Sequence, residues 1–370
     1  MTGLFTNTIA ESTSGSGITF SNDIVPATPL SHRNIVINGA MQVAQRGTSF
    51  TGFGASVNWS LDRFFTYHNS DGAFTISQES SVVPTGFKNS LKILITTADA
   101  SITASQRLIV GTRFEGSSVS HLNFGTANAE TITLSFYVRS SITGTHGAVL
   151  GNGSDNRAYP FTYTISSADT WERKSITIPG DQTGTWVTNN NKGMQIVWGL
   201  GVGTSFSASA GSWGAGDINS ATGATTDVLG TVNSTWYLTG VQLELGTVAT
   251  PFEHKSYGDE LLRCQRYFYA VDNSDPYHMI AHGAAASSTL FIGIMAAPVT
   301  FRGVPDLTAS GSYEFAGAIG GDAATLIITD PTTSNNIQVR ANGSFTSGQG
   351  GYLRNKNDTN AKFELDAELG

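Results

Sequence analysis

Cysteine is nearly absent: the chain has one, Cys264, in 370 residues. A single thiol excludes an intramolecular disulfide and a cysteine zinc site. A nucleophilic thiol needs a base and an accessible, electropositive setting. Arg263 and Arg266 are near in sequence, but Cys264 falls on the apolar face of a helix pattern, so it reads as a small buried hydrophobe. Charge is also scarce, at 13% of residues with a net −8. No Lys/Arg cluster offsets that sign, so nucleic acid is not expected as a partner, and an anionic bilayer surface is disfavoured. No apolar run reaches bilayer length, so no membrane insertion is expected. The opening MTGLFTNTIAEST lacks a basic n-region and an apolar h-region, which predicts synthesis and folding in a cytoplasm. Signatures of catalysis are missing as well: no GxxxxGK[ST], HExxH, GxSxG or EF-hand loop. The GxGxG of Gly199, Gly201 and Gly203 has no helix pattern after it and reads as a glycine-rich strand or bulge.

What is plentiful is glycine, 42 residues of it, set among short apolar runs. That combination predicts an all-β chain of many short strands joined by polar turns. TITLSFYVR (131–139) is the clearest strand. Ile132, Leu134, Phe136 and Val138 share one face, and Thr131, Thr133, Ser135 and Tyr137 share the other, which predicts a half-buried antiparallel strand. LKILITT, RLIVGTRF, YPFTYTI, WERKSITI and MQIVWGLGV read likewise. HNSDG, GNGSDN and NNNKG are the turns between them. The expected architecture is a jelly-roll β-sandwich over residues 33–255, a short amphipathic helix over 256–270, and a smaller C-terminal β domain over 271–370. Ser256 and Asp259 form a capping box, and Tyr257, Leu261, Cys264 and Phe268 share one helical face. So short a helix must be held by packing. Residues 1–32 hold too few large apolar groups for a core. They read as an attachment arm through Ile18, Phe20 and Ile24, or else as a disordered tail. The Gly/Ser/Ala/Thr run at 203–234 is either a functional loop or tolerated slack.

Candidate site residues follow from chemistry. Aromatic rings stack on the apolar faces of sugars, so Trp213 and Trp186 in polar loops, with Asp217 beside the first, form a candidate ligand site. The competing reading is a tryptophan that pins its own loop. Trp59, Trp171, Trp198 and Trp236 lie in strand patterns and read as core. Asp155, Asp169, Asp181, Asp217 and Asp227 could supply a glycosidase's carboxylate pair, but acids in polar loops are usually solvated turn formers. His278 and His282 share a strand face without an evident third ligand. GNGSDN and AGDINS follow no calcium-loop spacing. No metal, cofactor or enzymatic activity is therefore expected.

GVQLELG, TPFEH and CQRYF, together with NIVING (34–39), QRG (45–47) and DRF (62–64), resemble a broad group of tailed-phage virion proteins, the tail fibres, head fibres and receptor-binding proteins. The resemblance covers about residues 33–270. It implies a virion surface protein with a jelly-roll domain like those of carbohydrate-binding modules, and it supplies no catalytic residue. It also implies a homotrimer, made in the host cytoplasm, that meets other virion proteins through its N-terminal arm and host glycan or another receptor at the cell surface. A capsid decoration or tail adaptor without receptor binding is the alternative, and a polysaccharide depolymerase the second. Arg46, Asp62, Arg63, Glu244 and Glu253 are the charges inside the family-like motifs. They are expected to lock the two ends of the sandwich together through forked arginine hydrogen bonds.

Overall fold

The computed structural model describes residues 32–271, 274–317, 320–327 and 333–370. In chain order the sandwich strands are β1 Ser49–Thr51, β2 Asn58–Trp59, β3 Phe64–His68, β4 Ala73–Glu79, β5 Ser90–Thr97, β6 Arg107–Glu115, β7 Ile132–Ser140, β8 Gly144–Asn152, β9 Arg157–Ile165, β10 Glu172–Ile178, β11 Lys192–Val202, β12 Ser207–Ala208, β13 Gly214–Ala215, β14 Ser220–Ala221 and β15 Thr235–Leu245. A four-residue helix, α1 (Gly116–Val119), follows β6. One sheet runs β1-β4-β5-β15-β7-β10 and the other β13-β9-β8-β11-β6-β3-β2. From β5 to β8 and from β9 to β15 the long strands alternate between the sheets, giving a jelly-roll sandwich. Alternation explains the core. Ile132, Leu134, Phe136 and Val138 meet Leu108, Val110, Ile196 and Trp198 across the sheets, all fully buried. Trp236 and Trp198 lie in this core with ring centroids 6.4 Å apart.

The outer face of β7 differs from the half-buried expectation, because Thr133 and Ser135 are buried too. The segment after β15 returns over them: Thr133 Oγ1 donates to Gly246 O at 2.8 Å. Beside them Phe87 packs on Tyr137, Phe252 and His254.

Helix α2 spans Tyr257–Gln265, and Ser256 Oγ accepts the Asp259 N–H at 3.1 Å. It ends before Phe268, which begins β16 (Phe268–Ala270) and pairs with β24 (Lys362–Asp366). The predicted helical stripe is thus split. Cys264 is buried and Tyr257 is 55% exposed, because the helix meets the sandwich through Glu260, which accepts the Asn38 N–H at 2.7 Å, and through Cys264 and Gln265. A closed barrel follows, ordered β17-β18-β22-β21-β20-β23, with β17 Met279–Ala285, β18 Leu290–Ala296, β20 Tyr313–Gly317, β21 Gly320–Ile327, β22 Asn336–Gly343 and β23 Gly350–Asn355. Phe291, Phe315, Val339 and Leu353 fill it. β19 (Asp306–Ser310), β24 and β16 make a small sheet beside it. Among the described residues, no helix is long and apolar enough to cross a membrane.

Candidate ligand-binding groove

The seven-stranded sheet carries glycine at outward positions of its central strands, where alternation points Gly147, Gly199 and Gly201 away from the core. A Cβ on Gly147 would lie 2.1 Å from Ser220 Oγ, and one on Gly199 would lie 3.1 Å from Asn219 O. The 203–234 run is therefore packed directly on bare backbone. It holds itself there through the parallel pairing of β12 with β14. β11 also bulges between Gly199 and Gly201. These glycines are the price of seating one backbone upon another.

This cover stops short of β6 and β3. The uncovered part is a groove of about 200 Å³ whose lining includes Phe65, Tyr67, Arg107, Ile109, Arg113, Asp155, Gln195, Asp217 and Asn219. Arg107 organises one wall. Its Nη1 donates to Asp217 Oδ2 at 2.8 Å and to Asn219 Oδ1 at 2.5 Å. Its guanidinium lies over the rings of Tyr67 and Phe206, at 4.7 and 3.9 Å. Asn219 Nδ2 completes the ring of bonds by donating to Asp217 Oδ1 at 3.1 Å. On the far wall Asp155, at φ +54°, accepts from Lys192 Nζ and Gln195 Nε2, both at 2.7 Å. The groove thus places an aromatic ring and an aliphatic floor among fixed donors and acceptors. That suits a polyol, which presents apolar C–H faces and a rim of hydroxyls.

Of the residues singled out from sequence, Asp155 and Asp217 lie in this groove. Trp213 and Trp186 meet each other instead, with ring centroids 5.6 Å apart and planes at 88°. Both touch Phe124, and Trp213 also touches Tyr159. Trp213 Nε1 donates to Pro179 O at 2.7 Å, just past β10. Since Gly214 pairs with Ala158 on β9, Trp213 spans from the edge of one sheet to the edge of the other. Trp186 Nε1 donates to Asp181, at 3.3 Å, and Asp181 is held in turn by Arg157 at 2.6 and 2.8 Å. This half-buried pair plugs the open side of the sandwich, apart from Asp217. Ile18, Phe20 and Ile24 lie outside the described residues.

The charged motif residues form two sets. Glu253 takes the backbone N–H groups of His32 and Asn34 at 2.5 and 2.9 Å. Burial alone would raise its pKa, but those amides and Lys255 bring it down to about 2. Glu244 accepts from Gln242 and Thr250. These two stitch the last strand and its return to the first described residues. Asn34 adds Nδ2 to Val241 O, and Gly39 leaves room for Val241 O, which a Cβ would meet at 2.2 Å. Arg46 and Arg63 have partners elsewhere, in the last residues of the chain. Arg46 pairs with Asp366 at 3.1 Å and Glu368 at 3.4 Å, and Arg63 pairs with Glu368. Their guanidiniums cover the rings of Phe268 and Tyr267, at 3.5 and 3.4 Å. Asp62 accepts from Gln45 N and Nε2 at 2.7 and 2.6 Å, and burial raises its pKa despite Arg46.

Tyr67, Arg107, Gln195 and Asn219 were not singled out from sequence. A signal existed in RLIVGTRF, where Arg107 and Arg113 sit on the outward parity with Ile109 and Gly111 between them. Among the described residues, no three His, Cys, Asp or Glu side chains gather as a metal would require.

No protein-family model matches this chain, and no curated protein matches it. Among solved structures it is similar to the enzymatically active domain of tailspike protein 4 of bacteriophage CBA120 (10% identity, TM-score 0.33), over 58% of this chain and 21% of that one. The chain thus spans about a fifth of that tailspike domain's length. It is also similar to a carbohydrate-binding module solved with β-1,4-galactotriose (7% identity, TM-score 0.28, 58% and 99% of the two chains). A third is the family 11 carbohydrate-binding module of Clostridium thermocellum with a mixed-linked tetrasaccharide (9%, 0.27, 55% and 98%).

Proposed function

We propose that this chain is a fibre protein of a tailed-phage particle that binds host-surface glycan in the groove on its seven-stranded sheet. The observation that carries the glycan reading is the groove itself, with the Tyr67 ring beside Arg107, Asp217, Asn219 and Gln195. The virion assignment is supported by the order and spacing of NIVING, QRG, DRF, GVQLELG, TPFEH and CQRYF. In this reading residues 1–32 attach the protein to the particle, and the working form is a homotrimer. We further propose binding without turnover. Asp155 and Asp217 are each already held by a cation and an amide, whereas a glycosidase needs one carboxyl free to donate a proton.

The test is a glycan array probed with the full chain and with Tyr67→Ala and Asp217→Ala. Glycan retention lost in both variants, with unchanged unfolding midpoints, is the expected result. Immunogold labelling of particles with antibody against residues 257–370 places the protein. Label at the distal tail agrees with host recognition, whereas head label with no glycan retained favours a decoration or adaptor protein. Release of reducing sugar from host polysaccharide would overturn the non-enzymatic assignment. Sedimentation equilibrium checks the trimer.

A further inference from the structure

A second cavity, of about 310 Å³, lies where the first described residues, the end of β6 and helix α2 meet, and it shares Arg113 with the groove. Its size is at the lower end of the roughly 300–1,000 Å³ usual for small-molecule sites. Arg33, Arg113 and Arg263 all line it. Each carries a buried guanidinium nitrogen with no hydrogen-bond partner among the described residues: Arg33 Nε, Arg113 Nε and Arg263 Nη1. Arg113 is the most engaged of the three, since its guanidinium also lies 4.5 Å from the ring of the groove residue Phe65. Arg33 Nη2 reaches Pro251 O at 3.5 Å, Arg113 Nη1 donates to Leu369 O at 2.5 Å, and Arg263 stands 3.8 Å from Glu260.

The carboxylates lining the same cavity are already engaged. Glu115 accepts Arg266 Nε and Nη2 at 2.8 and 3.0 Å, and Glu244 accepts Thr250 N and Oγ1 at 2.9 and 2.6 Å. The cavity therefore offers unused donors and few unused acceptors, in a chain whose overall charge is −8. Leaving buried guanidinium N–H groups unpaired costs free energy that an anion would recover. Planar guanidinium forks match a planar carboxylate best. Ile35 and Phe114 add an apolar wall, which favours an organic carboxylate over a bare inorganic anion.

We propose that this cavity is a binding site for a small organic carboxylate of about monosaccharide size. The assignment rests on Arg33 and Arg263, which the groove does not share, and on no virion role. The experiment is thermal unfolding and titration calorimetry of the full chain with sodium glucuronate, set against glucose, sodium sulfate and potassium chloride at matched ionic strength. The expected result is saturable stabilisation by glucuronate alone. Affinity should fall about tenfold in Arg33→Gln and in Arg263→Gln, since losing one charge-assisted bond is worth about 1.4 kcal/mol or more, and stay unchanged in the groove variant Asp217→Asn. Arg263→Lys keeps the charge without the fork and should respond weakly, and it serves if a glutamine variant does not fold. A glucuronate response no larger than that of chloride overturns the proposal, and so does an equal response to sulfate.

Discussion

The sandwich and the barrel are built from the same antiparallel sheet, but they treat its edges in opposite ways. The barrel closes on itself through β17-β18-β22-β21-β20-β23 and has no edge to protect. The sandwich ends in β10 on one sheet, while β13 covers β9 on the other, and Trp213 bridges the gap. Open sides need covering, and the covering segments bring polar loops across a sheet face. That is why the groove lies on the sandwich. The barrel's outer face instead carries isolated apolar side chains such as Ile294 and Met279, 56% and 45% exposed.

The two bodies are joined by an arginine clasp. Besides Arg46 and Arg63, Arg113 donates to Leu369 O, and Arg302, on the C-terminal side, donates to Asn190 O of the sandwich at 2.8 Å. The largest expected effect breaks this clasp. Glu368→Ala leaves Arg63, 1% exposed, without its carboxylate. Removing one partner of a buried pair costs about 3–5 kcal/mol. Calorimetry should then show two unfolding transitions, one per body, where the unaltered chain is expected to show one.

The next effect belongs to the sandwich alone. His146 is fully buried, and burial lowers its pKa to about 4. The unfolded chain therefore binds more protons between pH 6.5 and 4, and stability falls as pH falls through that window, by about 3 kcal/mol at most. Asp227 opposes it. Burial raises its carboxyl to about 6, so its contribution grows as pH falls from 6 towards 3.8. Asp227→Asn should steepen the acid loss of stability, and His146→Phe, which keeps the stack on Tyr163, should reverse the slope. Identical unfolding-midpoint profiles in both variants would contradict the assignment.

Smaller again is Trp213→Ala. The ring is half-buried, so a loss of about 2 kcal/mol is expected, below the 3–5 typical of a fully buried aromatic. Combined with Glu368→Ala, it should lower the sandwich transition and leave the barrel's in place. Smallest is Asp217→Asn. Arg107 and Asp217 form a partly exposed pair, with side chains 15% and 40% exposed, so denaturant unfolding should register less than about 1 kcal/mol. If the groove binds glycan as proposed, the effect should appear in glycan retention instead.

Much of the fold was legible in local pattern. Period-two alternation in 131–139 marked β7, and Ser256 with Asp259 marked the start of α2. The end of α2 was not legible, because Phe268 continues the helical stripe in sequence yet finds a better partner in β24. Nor was the burial of Thr133 and Ser135, which depends on a segment more than a hundred residues away. Asp217 could be singled out as an acid in a polar loop. Its neighbour Arg107 lies 110 positions earlier, and no local pattern joins the two.

Sequence alone determined that this is an all-β chain with a jelly-roll sandwich, a short helix and a smaller β domain. Those outcomes follow from backbone propensity and from which face of each strand is apolar, both of which act over a few residues. Tertiary structure decided the rest: the seat of the 203–234 run on bare glycines, the groove beside it, the Trp186–Trp213 plug, and the clasp of Arg63 on Glu368 across 305 positions. Each of these is a contact between segments whose separation in sequence carries no record of their distance in space.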